Sequence, residues 1–198
     1  MKKSLLAVLA LAASSAAFAD QGDIIARLRA INVSPSVSTD STLSAIKTDV
    51  SSETVPELDF TYMITNNIGA ELILGTSRHS VSSSLGDLGK ISVLPPTVTV
   101  QYHFAPQATV RPYIGAGINY TRFYDNGLKA GATSLDVDKN SFGPALQIGT
   151  DVGIGKNLFV NFDVKKLWIK ADVSAAGTKL GTLKIDPVVY GIGIGTKF

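Results

Sequence analysis

The chain has 198 residues, 45% of them hydrophobic and 17% charged, with 18 basic against 16 acidic side chains and no cysteine. So even a charge balance excludes the basic stripe that nucleic acid needs, and the lack of cysteine excludes disulfides and thiolate metal sites. Beyond the amino-terminal segment no stretch approaches the roughly 18 consecutive apolar residues of a spanning helix, so the apolar content is expected in alternating strands.

Residues 1–19 read as a cleaved secretory signal peptide. Lys2-Lys3 is the basic head, residues 5–11 the apolar centre, and Ala17-Phe18-Ala19 a small-residue cleavage site before Asp20. Two lysines leave with it and no acid, so residues 20–198 carry sixteen basic and sixteen acidic residues. That stretch is expected to form one domain.

Eight alternating segments follow. In the first, 23–37, Ile24, Ala26, Leu28 and Ala30 share one face and Ile25, Arg27, Arg29 and Ile31 the other. Side chains of a strand alternate between its faces, so this pattern puts an apolar stripe opposite a charged one. The second, 54–65, sets Leu58, Phe60, Tyr62 and Ile64 against Glu57, Asp59, Thr61 and Met63. After the turn at Asn66-Asn67, the third sets Ile68, Ala70, Leu72 and Leu74 against Gly69, Glu71, Ile73 and Gly75.

The fourth, 93–104, places Pro96, Val98, Val100, Tyr102 and Phe104 opposite Thr97, Thr99, Gln101 and His103. The fifth, 110–124, alternates Ile114, Ile118 and Tyr120 with Tyr113, Asn119 and Thr121. In the sixth, 141–154, Leu146 and Ile148 oppose Gln147 and Asp151. The seventh begins at Leu158, with Val160, Phe162 and Val164 against Phe159, Asn161, Asp163 and Lys165. The last, 187–198, carries Val188, Tyr190, Ile192 and Ile194 on one parity and stops on Phe198.

Short connections at 66–67, 105–109 and 155–157 alternate with longer polar ones at 38–53, 76–92, 125–140 and 174–182. Apolar-out strands of this length, even in number and joined by alternating short and long connections, predict an all-β fold. The fold expected is an eight-stranded antiparallel transmembrane β-barrel of the outer membrane, with both termini in the periplasm and the long connections read as solvated loops.

An eight-stranded barrel holds side chains or one small ligand rather than a wide channel. The inward charges Arg27, Arg29, Glu57, Asp59, Glu71, Asp151, Asp163 and Lys165 are expected to pair into a polar plug. The inward apolar residues Ile31, Met63, Ile73, Tyr113, Phe123, Phe159 and Leu167 are candidates for a ligand pocket above it. Proline donates nothing to a ladder, so Pro95 and Pro96 predict a local break in the fourth strand, either a bulge or a gap in the wall; the bulge is favoured.

No catalytic constellation, metal-binding spacing or cofactor motif is present. His79 and His103 lie in separate segments and read as a loop residue and a wet lumen residue. Gly115-Ala116-Gly117 lacks the Lys-Ser/Thr ending of a phosphate loop. The chain is not read as an enzyme.

Several blocks resemble the outer membrane protein W (OmpW/AlkL) family. They are Phe60-Thr61-Tyr62-Met63, then Asn67-Ile68-Gly69-Ala70-Glu71-Leu72, then Leu94-Pro95-Pro96-Thr97. Arg111-Pro112-Tyr113-Ile114-Gly115-Ala116-Gly117-Ile118-Asn119-Tyr120, Phe123-Tyr124-Asp125-Asn126-Gly127 and the ending from Ile185-Asp186-Pro187 follow. The resemblance implies a barrel of a Gram-negative outer membrane that passively admits small hydrophobic molecules and releases them sideways through its wall, with Pro95 and Pro96 at the edge of the opening. Lys165-Lys166 departs from it, standing where the family is expected to be aromatic.

The expected surroundings are membrane lipid, lipopolysaccharide and the outer-membrane barrel assembly machinery, for which Phe198 would be the terminal signal. A monomer is expected. The other reading is a structural or interaction barrel whose outer loops bind a surface or envelope partner without transport.

Overall fold

The computed structural model describes residues 20–198, so the leader expected over residues 1–19 lies outside the described residues. In chain order the elements begin with β1 (Ile24–Ser34), β2 (Ser38–Thr39), a short helix α1 (Ser41–Ala45), β3 (Asp49–Val50) and β4 (Glu53–Met63). Next come β5 (Ile68–Gly75), β6 (Ser77–Ser83), β7 (Gly86–Leu94), β8 (Thr97–His103) and β9 (Val110–Tyr124). The remainder is β10 (Lys129–Ala130), β11 (Thr133–Val137), β12 (Asn140–Gly153), β13 (Leu158–Leu167), β14 (Lys170–Ala175), β15 (Thr178–Lys184) and β16 (Val188–Lys197).

β1, β4, β5, β8, β9, β12, β13 and β16 pair antiparallel in that order, and β16 returns to β1, which closes an eight-stranded barrel. Phe198 and Ile24 exchange both backbone hydrogen bonds, N to O at 2.9 and 3.1 Å, so the carboxy-terminal residue seals the last seam. The described termini share a rim with the three short connections.

Polarity is inverted relative to a water-soluble protein. Ile148, Ile192 and Tyr190 are 60%, 54% and 53% exposed on the outside, while Arg27, Arg29, Glu71, Gln101 and Asn161 are buried within. The inward positions of so narrow a barrel are crowded, and glycine relieves it where large rings sit. Gly149 lies opposite Tyr113 and Gly195 opposite Phe159 in register, and a Cβ at either would collide with that ring.

The long connections differ from the expectation of solvated loops. β6 and β7 form a hairpin that prolongs the third and fourth wall strands, and β14 and β15 prolong the seventh and eighth. These continuations, with β10, β11 and α1, enclose an apolar core of Val81, Leu88, Ile91, Leu128, Leu135, Val173 and Leu183. Their outward residues are mostly polar or charged, Arg78, Ser80, Lys170, Asp172 and Lys184 among them, so only every second side chain is apolar. His79, expected in a loop, is a buried residue of β6: its Nδ1 lies 2.7 Å from the Ser51 carbonyl oxygen and its Nε2 2.7 Å from Ser77 Oγ.

The double proline does not make a bulge. Ile73 pairs with Thr97 below it and Ser77 with Val93 above it, so Leu74, Gly75 and Thr76 face Leu94, Pro95 and Pro96, three residues on each side. A bulge would add a residue to one strand; here the register is unchanged and the ladder simply lapses. On its other side the fourth wall strand stays attached, with Tyr120 N–H donating to Pro96 O at 3.0 Å. The favoured bulge is thus replaced by a gap in the pairing of one seam.

Candidate functional site

The middle of the lumen is filled by ion pairs whose members come from five wall strands, β1, β4, β5, β12 and β13. Arg27 grips Asp151 with two bonds, Nε to Oδ1 at 3.1 Å and Nη2 to Oδ2 at 2.9 Å, and donates from Nη1 to Asp59 Oδ1 at 3.0 Å. Arg29 bonds Asp59 through Nε at 3.0 Å and through a short Nη2 contact, and donates to Glu71 Oε1 at 3.0 Å. Its other contacts are Asp163 at 3.1 Å and Glu57 at 3.3 Å. Lys165 closes the group at 2.6 Å from Glu57 and 2.8 Å from Asp163.

Neutral groups satisfy the remaining oxygens. Thr99 donates to Glu71 at 2.9 Å, Gln147 and Tyr113 donate to Asp163 at 2.8 and 2.9 Å, and Asn161 donates to Asp151 at 2.8 Å. The planar guanidinium fork suits such shared carboxylates. All eight expected plug residues are therefore together, and their pairing removes most of the cost of placing charge inside a membrane. With every one of them buried, the lumen is closed to a continuous water path at this level.

Arg111 was missed. It is buried, its guanidinium carbon lies 5.0 Å from the centre of the Phe159 ring, and it shares its parity with Tyr113, the signal that would have found it. Gln101, Gln147 and Asn161 were passed over as ordinary lumen residues, yet they knit the charged groups together. His103, read as wet, is fully buried, its Nε2 3.1 Å from Gln101 Oε1.

The seven apolar candidates separate. Ile31, Ile73, Phe123 and Leu167 line a chamber between the plug and the rim of long connections, with Val93, Ile169 and Val189 beside them. Its cavity is about 70 Å³, its walls are almost wholly apolar, and Glu57 and Lys165 of the plug form its floor. Met63 and Phe159 instead pack with Ile25 on the opposite side of the plug. Tyr113 belongs to the plug itself, accepting from Asn161 at 3.0 Å while donating to Asp163. The expected single pocket fails for these three because their positions lie nearer the rim of short connections, a height that parity does not encode.

The chamber reaches the wall at the lapsed seam, where Gly75, Thr76, Pro95 and Thr97 line it. Thr76 Oγ1 lies 2.6 Å from Tyr124 Oη, a clasp that spans the fourth wall strand on the outside. Leu74 and Leu94 are exposed beside it.

A profile of the OmpW family matches residues 20–198. The chain belongs to the OmpW family. OmpW-family relatives include Outer membrane protein W of Escherichia coli (strain K12), 36% identical over 216 residues and covering 100% of both chains. An uncharacterized outer-membrane protein, y4mB of Sinorhizobium fredii, is 46% identical over 151 residues, 73% of this chain and 66% of that one. A dibenzothiophene metabolism operon protein, PahQ of Pseudomonas aeruginosa, is 32% identical over 76% of this chain and 74% of its own. Among solved structures, the outer membrane protein OprG from Pseudomonas aeruginosa superposes with a TM-score of 0.82 at 30% identity, covering 90% of this chain and 97% of that one. The OmpW-family assignment and the closed barrel together make this an outer-membrane β-barrel protein.

Proposed function

We propose that this barrel is a passive conduit for small hydrophobic molecules. The long connections face the outside and both termini the periplasm, as short inner turns and long outer connections suggest. A molecule enters at the outer rim, passes into the chamber, is stopped by the plug and leaves sideways at the lapsed seam into the hydrocarbon of the membrane. One observation carries this reading: an apolar chamber floored by charges is lined at the wall by Gly75, Thr76 and Pro95, where ladder pairing between the third and fourth wall strands lapses.

Each step follows from polarity. An apolar solute gains about 25 cal/mol per Å² of surface removed from water, so it partitions into the chamber without energy input. It cannot cross the paired charges without breaking them. At the seam it meets lipid without cutting backbone hydrogen bonds, since three successive positions make none across it. The operon name of the relative PahQ, dibenzothiophene metabolism, accords with an apolar fused-ring aromatic as one kind of cargo. Phe198 fits the terminal signal expected by the barrel assembly machinery, exposed at the closing seam.

The test exploits the absence of native cysteine. Gly75 and Pro95 face each other across the lapse, and a Cβ on Gly75 meets nothing nearer than 3.6 Å. In Gly75→Cys/Pro95→Cys, a disulfide or short bis-thiol linker closes the seam. Uptake of a small apolar tracer by cells should fall to the level of cells lacking the protein when the disulfide forms, and recover with reductant. Uptake unchanged by closure would overturn lateral exit, and no uptake by the open barrel would turn attention to the outer rim as a binding surface.

A further inference from the structure

We infer that the outer face of the wall at Arg78, Lys90 and Arg122 docks the phosphorylated headgroup of an outer-leaflet glycolipid, lipopolysaccharide by class. The inference rests on the orientation proposed above.

Register places the three cations on adjacent wall strands. Arg78 lies opposite Ser92, which lies opposite Tyr124; Lys90 is two residues from Ser92 and Arg122 two residues from Tyr124. Neighbouring strands are about 4.8 Å apart and same-face residues about 6.7 Å, so the three Cα atoms fall within about 15 Å. All three side chains are exposed, and none forms an ion pair within the described residues. The outward positions between and beside them are Ser80, Ser92, Leu94, Thr76, Tyr124 and Asn140, with no carboxylate. The nearest acids lie at the rim above: Asp87, whose Oδ1 accepts from Gly89 N–H, Asp125 just past β9, and the exposed Asp138, two residues before Asn140 and so diagonal to Arg122.

Height identifies the occupant. From Ile68 the outward positions of the third wall strand run Ala70, Leu72, Leu74 and Thr76 to Arg78. Ten residues of tilted strand rise about 25 Å, the height of the apolar band of such barrels. The cations therefore stand at the band's upper edge, directly over a face of Leu74, Leu94, Val98 and Ile118 that acyl chains cover. At the opposite edge the corresponding outward residues are Ile24, Tyr62, Ile68, Tyr102 and Val110, all apolar or aromatic. A partner that needs both a strong anion and an apolar body just below it is an anionic lipid, and two arginines favour phosphate through bidentate bonds. The patch borders the lapsed seam, so the docked lipid forms one lip of the proposed exit.

The experiment measures binding of bisphosphorylated lipid A, and of the same lipid with its phosphates removed, to the purified barrel in detergent micelles. The wild type should prefer the phosphorylated form by about tenfold or more, the effect of a charge-assisted bond or two. Arg78→Gln/Lys90→Gln/Arg122→Gln should lose the preference, while Lys156→Gln at the other rim keeps it. Heat-dependent electrophoretic migration reports whether the triple variant is folded; should it not be, the three single substitutions are read, each lowering the preference severalfold. Equal affinity for both lipids, a preference that survives the substitutions, or full displacement by millimolar inorganic phosphate would each overturn the assignment. No cargo takes part, so a failure here leaves the conduit standing, and a failed uptake assay leaves this binding result standing.

Discussion

Arg29 touches four carboxylates, Asp59, Glu71, Asp163 and Glu57, and no other side chain joins so much of the plug. Arg29→Met removes the cation and leaves its buried partners uncompensated, which is expected to destabilise the barrel by about 3–5 kcal/mol. Arg29→Lys restores the charge without the planar fork and should fall between. Urea unfolding followed by tryptophan fluorescence at Trp168, the one tryptophan of the chain, measures both. Parity alone was enough to turn Arg29 and its partners inward, because an unpaired charge on the lipid face would be costly. Nothing in the parity of Met63, Tyr113 or Phe159 tells on which side of the plug each lies. That depends on stagger between strands, which is a property of the closed barrel and not of any single segment.

Among the elements, the β14–β15 hairpin shows why the long connections read as loops. Val173 and Ala171 alternate with Asp172 and Ser174, and β15 opposes these four with Gly181, Leu183, Thr182 and Lys179, so the strand signal is half polar and short. The turn is more legible in hindsight: Ala176 and Gly177 both have positive φ, 47° and 79°, the requirement of a type I′ turn. Alanine is strained there, and Ala176→Asn or Ala176→Gly should stabilise the protein by about 1 kcal/mol. The thermal midpoint should rise; an unchanged or lower midpoint would show that the turn is not strained. The double proline was legible as an interruption, whereas the choice between bulge and gap was not. That choice turns on the count of residues in the facing strand, where Gly75 and Thr76 continue into β6 without an insertion.

At the scale of the whole molecule, the inverted polarity and closed ladder follow from the alternating segments, and the family from its collinear blocks. The chamber was harder to foresee, because its upper walls are built by strands that looked like loops. One further property belongs to the lapse and its height. Leu74 and Pro96 stand six residues above Ile68 and Tyr102, about 20 Å of strand and about 15 Å of vertical rise. The lapse is thus fixed to the protein, while the depth at which it meets the membrane is set by the lipids. On the proposed route a solute leaves into acyl chains in a bilayer of ordinary thickness; in a much thinner one it leaves among headgroups, where it gains little. In reconstituted vesicles of decreasing acyl length, tracer release through the open barrel should therefore fall even though chamber, plug and fold are unchanged. On that route membrane thickness becomes a control on flux, read by a ruler whose zero is the aromatic edge and whose mark is two prolines.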